Sequence, residues 1–120
     1  MTKHRPIPEE VTAAVEAAEE KQAVELVLLD LGPHSSFTDY FLIASGRNIR
    51  QCQAIADEVQ LQESQLGHRA AHVEGYHQGE WILLDYGFMV VHIFSEKARA
   101  FYDLERLWRT ARKVPLQEAR

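Results

Sequence analysis

The chain has 120 residues, 46% of them hydrophobic and 26% charged, with 6 Gly and 4 Pro. That is enough for one domain with a sizeable core, too short for two, and too apolar for a disordered or fibrous chain. Thirteen Lys and Arg against eighteen Asp and Glu leave a formal net charge of -5, which favours basic partners and predicts little direct nucleic-acid contact. A single cysteine, Cys52, can form no internal disulfide and suits a reducing setting, the cytoplasm or an equivalent organelle interior, of which the cytoplasm is the expectation. No leader-like segment and no apolar run of the roughly 18 residues needed to span a bilayer is visible, so no membrane association is expected.

Pro8 before Glu9 and Glu10 starts a helix over about residues 8–23, with Val11, Ala14, Val15, Ala18 and Val24 following at roughly helical spacing. Residues 25–31 (ELVLLDL), ended by Gly32 and Pro33, read as a strand covered on both faces, and residues 39–45 (DYFLIAS) as a second. A longer helix follows, with an apolar stripe of Ile49, Cys52, Ile55, Ala56, Val59 and Leu66. Asn48 caps it, Gln51 reaches back, and Gly67 ends it. From Ala70 the period becomes two: AAHVEGY, EWILLDY and FMVVHIF form a three-stranded antiparallel meander whose last turn lies at Tyr86-Gly87. Ser95 caps a final segment over residues 96–108 that suits one helix or two short helical pieces, and residues beyond about Arg109 are expected to fray. The order α-β-β-α-β-β-β-α predicts an α/β (α+β mixed) domain over residues 1–120, with its core at about 8–108. It has about five strands in one mixed sheet and helices packed on it.

With that turn, Asp85 faces Phe88, Leu83 faces Val90 and Trp81 faces His92. One face of the hairpin is then aliphatic (Ile82, Leu84, Met89, Val91, Ile93) and suits a floor for helices. The other carries Trp81, Leu83, Asp85, Phe88, Val90, His92 and Phe94, a mixture of rings with a carboxylate and an imidazole that suits a partner surface. The competing reading is that Phe101, Tyr102 and Trp108 fold back over this face and make it ordinary core.

Reactive chemistry is poorly represented. Asp30, Asp39 and Asp85 sit at strand ends, but the paired D-x-D acids of a magnesium-dependent nucleotidyltransferase are missing; local turns and caps explain them better. Histidines occur at positions 4, 34, 68, 72, 77 and 92. His68 and His72 would share a helix face only if Gly67 did not end the helix, and on a strand they stand roughly 13 Å apart, so no metal site is expected. Cys52 lies on an apolar stripe and reads as an inert buried thiol. Ser35 and Ser36 lack a nucleophile elbow and read as turn caps, and no glycine-rich phosphate loop exists. Glu16, Glu19, Glu20 and Lys21 read as a solvated helix face. The residues thus favour a binding protein without catalytic residues or cofactor.

Five blocks, in order, carry a resemblance: SSFTDYFLIASG (35–46), QAIADEV (53–59), EGY…GEWILLDYG (74–87), VVHIF (90–94) and FYDLERLW (101–108). Together they closely resemble the ribosomal silencing factor (RsfS, Iojap-like) family. The resemblance implies a nucleotidyltransferase-like fold without established enzymatic activity. It also implies homodimers, and binding to the large ribosomal subunit through large-subunit ribosomal protein fourteen. That placement sterically blocks the small subunit and lowers translation under nutrient limitation. Carried onto this chain, the family's strand tryptophan falls on Trp81, the following acid on Asp85, the last-strand histidine on His92, and the terminal aromatics on Tyr102 and Trp108. The expected partner surface is Trp81 with Leu83, Tyr86, Phe88 and Phe94 as apolar neighbours and Asp85 as an orienting acceptor. His92, Asp39, Tyr102 and Trp108 support it. The chain departs from the family in having Phe88 where Asp usually follows the glycine, which removes a charge beside this surface. Two alternatives remain open at the level of sequence: a nucleotide-binding or residual nucleotidyltransferase protein, and a ribosome assembly adaptor or other scaffold.

Overall fold

Pro8 precedes helix α1 (Glu9–Glu20), whose first turn holds Glu9 and Glu10, where carboxylates complement the exposed N–H groups. Its buried face is small, Val11, Ala14, Val15, Ala17 and Ala18, so it lies closely against Cys52, Ile55, Ala56 and Val59 of α2 (Ile49–Gln65). Asn48 Oδ1 accepts the Gln51 N–H at 2.8 Å, and Gln51 Oε1 accepts the Arg47 N–H at 2.6 Å. At the far end the His68 N–H donates to Glu63 O at 2.9 Å and the Gly67 N–H to Ser64 O at 3.0 Å. That closure requires the left-handed backbone found at Gly67, φ +86. The computed structural model describes residues 6–32 and 35–119; the expectations for Pro33, His4 and His34 lie outside them.

Six strands form one mixed sheet: β1 (Val24–Asp30), β2 (Tyr40–Gly46), β3 (His72–Glu74), β4 (Trp81–Asp85), β5 (Met89–Ser95) and β6 (Arg112–Val114), ordered β3-β4-β5-β2-β1-β6. Only β2 and β5 pair in parallel, because α2 returns the chain to the end of the sheet where β2 began. After β5, Ser95 caps α3 (Glu96–Tyr102), its Oγ accepting the Ala98 N–H at 3.1 Å; α4 (Leu104–Leu107) follows. The mixed α/β class read from the sequence holds, with one more strand than expected.

That strand corrects the expected fraying beyond Arg109. β6 pairs with the outer edge of β1 (Leu28 opposite Val114, Asp30 opposite Arg112), and Val114 and Ala119 are buried. Three residues are too few for a period to register, and only the open edge of β1 makes them a strand. AAHVEGY likewise supplies just the exposed strand β3.

The last hairpin also differs. Tyr86 N–H donates to Met89 O at 2.9 Å around Gly87 (φ +85) and Phe88, a turn with glycine at the first central position. Asp85 is therefore opposite Val90, Leu83 opposite His92 and Trp81 opposite Phe94. The turn centre moves by one residue while the loop keeps an even count, so side chains stay on their expected faces. Phe88 is the exception: it sits in the turn and packs with the opposite cluster.

Ile82, Leu84, Met89, Val91 and Ile93 form a core with α1 and α2. The other side holds Val27, Leu29, Phe41, Ile43, Val90, Phe94, Ala98 and Ala111, with Trp81, Leu83, Leu104 and Trp108 at its margin. Beyond the sheet edge, a Cβ on Gly75 (φ +76) would run into the Trp81 carbonyl oxygen. Gly75→Ala should therefore cost about 1–2 kcal/mol, limited because exposed β3 can detach. Hydrogen exchange should accelerate at residues 72–74 while β2 and β5 stay protected; uniform acceleration across the sheet would contradict this.

Candidate functional site

The second face of the sheet is a chain of rings. Parallel pairing sets Phe41 beside Val90 and Ile43 beside His92. The His92 imidazole meets Phe41 at 4.5 Å between centroids, and Phe41 meets Trp108 at 5.3 Å. Trp81 lies 4.9 Å from Phe94 and 4.7 Å from Tyr102. Its indole Nε1–H donates to His92 Nδ1 at 3.1 Å, so the imidazole proton resides on Nε2. His92 is 4% exposed, and burial lowers its pKa to about 4. The neutral imidazole holds the indole at a fixed angle, a positioning role.

The expected surface is partly sealed. Phe94 is fully buried and Val90 nearly so, which removes Phe94 from the accessible set: β5 is a central strand, and α3 seats Ala98 over it. Trp81, Leu83 and Asp85 remain half-buried. Tyr102 and Trp108 fold back, as the competing reading supposed, but Phe101 does not and is 79% exposed. Tyr86 and Phe88 pack with the helix-covered cluster, their rings 6.3 Å apart, and so leave the Trp81 side. Asp85 Oδ1 accepts the Gly87 N–H at 2.8 Å and shapes its own turn. Exposed Asp39 donates its backbone N–H to Phe88 O at 3.1 Å. Sequence reasoning missed Phe41 and the exposed Phe37, whose ring lies 6.3 Å from Trp108. The alternation within DYFLIAS puts Phe41 opposite in facing to Tyr40, but only the pairing of β2 with β5 brings it to His92.

What remains open is a surface of Trp81, Leu83, Tyr102 and Phe37, held from behind by Phe94, His92 and Phe41. Its lower edge is clamped by Arg99, 7% exposed. The Arg99 guanidinium donates to both Glu105 carboxylate oxygens (3.0 and 3.2 Å) and to Ser45 Oγ (3.0 Å), tying α3 and α4 to β2.

Under the β4–β5 turn lies a different polar group. Glu63 is fully buried and neither carboxylate oxygen has a hydrogen-bond partner. Burial, with the charge of Glu10 on α1 second, raises its pKa to about 7. Tyr86 is pushed up to about 12, by burial and then by Glu63. Glu10 is itself bonded to His68 Nε2 at 3.0 Å, and the His68 ring meets Phe88 at 5.5 Å. Among the described residues no group of three His, Cys, Asp or Glu is placed to hold a metal ion. Nor is any described helix long and apolar enough to cross a membrane.

Fold and site together define an α/β protein presenting a half-open aromatic surface from its sheet. Residues 4–120 match the family described as ribosomal silencing factor during starvation, RsfS, and the chain belongs to that family. It is 40% identical over 104 residues to the ribosomal silencing factor RsfS of Halalkalibacterium halodurans, covering 87% of this chain and 89% of that one. The RsfS of Bacillus subtilis is 39% identical over 95 residues, covering 79% and 80% of the two chains. A mouse protein named mitochondrial assembly of ribosomal large subunit protein 1 is 28% identical over 102 residues, 82% of this chain but 45% of the mouse one. The crystal structure of a Chromobacterium violaceum protein superposes with a TM-score of 0.81 at 34% identity, covering 83% of each chain. One from Bacillus halodurans gives 0.80 at 38%, covering 89% and 97%.

Proposed function

We propose that the chain acts as one domain that binds rather than catalyses. It docks the Trp81 surface onto the large ribosomal subunit, at ribosomal protein fourteen, and so obstructs joining of the small subunit. The reading places it in the cytoplasm, as a homodimer, without cofactor. Family membership supports ribosomal silencing, and the observation that carries the docking site is the half-buried indole fixed between His92, Phe94 and Tyr102. Such a ring brings large contact area at little entropic cost, the pattern of an interface hot spot. The net charge of -5 favours encounter with a basic ribosomal protein.

Sucrose-gradient sedimentation tests it. The wild-type chain should travel with large subunits and reduce their joining, and Trp81→Ala should weaken binding by about thirtyfold, the effect of losing a hot spot worth about 2 kcal/mol. Wild-type protein that leaves joining unchanged, or a Trp81→Ala variant that binds as tightly, sinks the proposal. The name of the mouse relative favours a second reading, service in assembly of the large subunit. It predicts co-sedimentation with immature particles in preference to mature subunits.

A further inference from the structure

The charge of -5 is not spread evenly. Residues 97–113 hold Lys97, Arg99, Arg106, Arg109, Arg112 and Lys113 against only Asp103 and Glu105, a net of +4, whereas residues 9–96 hold fifteen acids and four bases. Arg99 and Arg112 are engaged with Glu105 and Glu118. Arg106 and Arg109 are exposed and form no ion pair among the described residues.

These two arginines share a groove of about 700 Å³ with Phe101, Tyr102, Asp103 and Leu107. Asp103, left-handed at φ +47, breaks the helix there and sets α3 and α4 as the two walls. The Arg99–Glu105 clamp joins those walls, so the groove is built in advance. Phe101 and Leu107 are 79% and 76% exposed, an unusual cost for two large apolar side chains. Screening in physiological salt acts over about 8 Å, short against the 43 Å length of the molecule, so the distant acids do not cancel the local charge.

We propose that the α3–α4 groove binds single-stranded RNA, Arg106 and Arg109 pairing with phosphates while a base stacks on Phe101. An acidic peptide would satisfy the arginines but carries a ring only where its sequence supplies one, whereas every nucleotide joins a phosphate to a base, which favours RNA. The proposal goes beyond the Trp81 docking and does not need it. Within that screening length the acidic surface elsewhere repels phosphate on contact, which confines binding to this edge.

Fluorescence anisotropy of the full chain with labelled oligouridine of about twelve nucleotides tests the groove without any ribosome, so its failure leaves the docking proposal standing. Binding should weaken steeply between 50 and 200 mM salt. Phe101→Ala should reduce affinity by about tenfold, and Arg106→Gln/Arg109→Gln should make the logarithmic salt slope shallower by about 1.4. Leu61→Ala, on the opposite face, should change nothing. All of these side chains are exposed, so the variants fold, which circular dichroism checks. No binding at 50 mM salt overturns the proposal, as does binding indifferent to both groove variants. Groove variants that alter only the mass seen by light scattering overturn it in favour of a second copy of the chain.

Discussion

Glu105→Ala should destabilise the protein by about 2–3 kcal/mol, far more than the loss of an ordinary surface ion pair. Glu105 is 37% exposed, but its partner Arg99 is only 7% exposed and its donors are aimed at Glu105 and Ser45. Removing the carboxylate strands a buried guanidinium with a single hydroxyl for company. The figure lies at or below the low end for buried pairs because water reaches the Glu105 side. Arg99→Met combined with Glu105→Ala should recover most of the loss, since neither charge then remains buried alone. Urea denaturation of the two variants checks this; a single variant within about 0.5 kcal/mol of wild type would show that the clamp is not holding α3 and α4 down. Tyr102, at the end of α3, packs beside Trp81 and helps fix the indole, so the single variant should also weaken docking.

Glu63→Gln should change how stability depends on pH. Free Glu titrates near pH 4.5, whereas buried Glu63 keeps its proton to about pH 7. Between those values the folded protein binds more protons than the unfolded chain, so this group withdraws about 3 kcal/mol of stability as pH rises, and the loss is complete above about pH 7. His92 works in the other direction. Its folded pKa of about 4 lies below the ordinary 6.5, so stability rises across that interval as pH rises. The two slopes largely cancel between about pH 4.5 and 6.5. Glu63→Gln removes one of them: the variant should match wild type near pH 4 and exceed it by about 3 kcal/mol at pH 8. Denaturation midpoints at both values decide it, and a gap that does not widen with pH would refute the buried-carboxylate account.

Local signals were legible where one element could satisfy them alone. Asn48 and Gln51 capped α2, Gly67 closed it, and the alternation in EWILLDY and FMVVHIF sorted Ile82 and Leu84 from Trp81 and Leu83. Features that need a distant partner were not legible. β6 exists because β1 has an open edge, and Phe41 reaches His92 because β2 and β5 pair across some fifty residues of chain. Arg99 looks in sequence like one more surface base of an amphipathic helix. Nothing local tells that Ser45 and Glu105 enclose it.

By itself the sequence determined the family, the mixed α/β class and which residues of β4 and β5 share a face, since caps, turns and alternation act within a few residues. Tertiary structure alone decided which rings of the second face stay open. Phe94 closes because its strand is central and α3 lies over it, while Trp81, on β4 nearer the sheet edge, stays partly open. Burial sums contacts from the whole chain, and that sum has no value until the chain has folded.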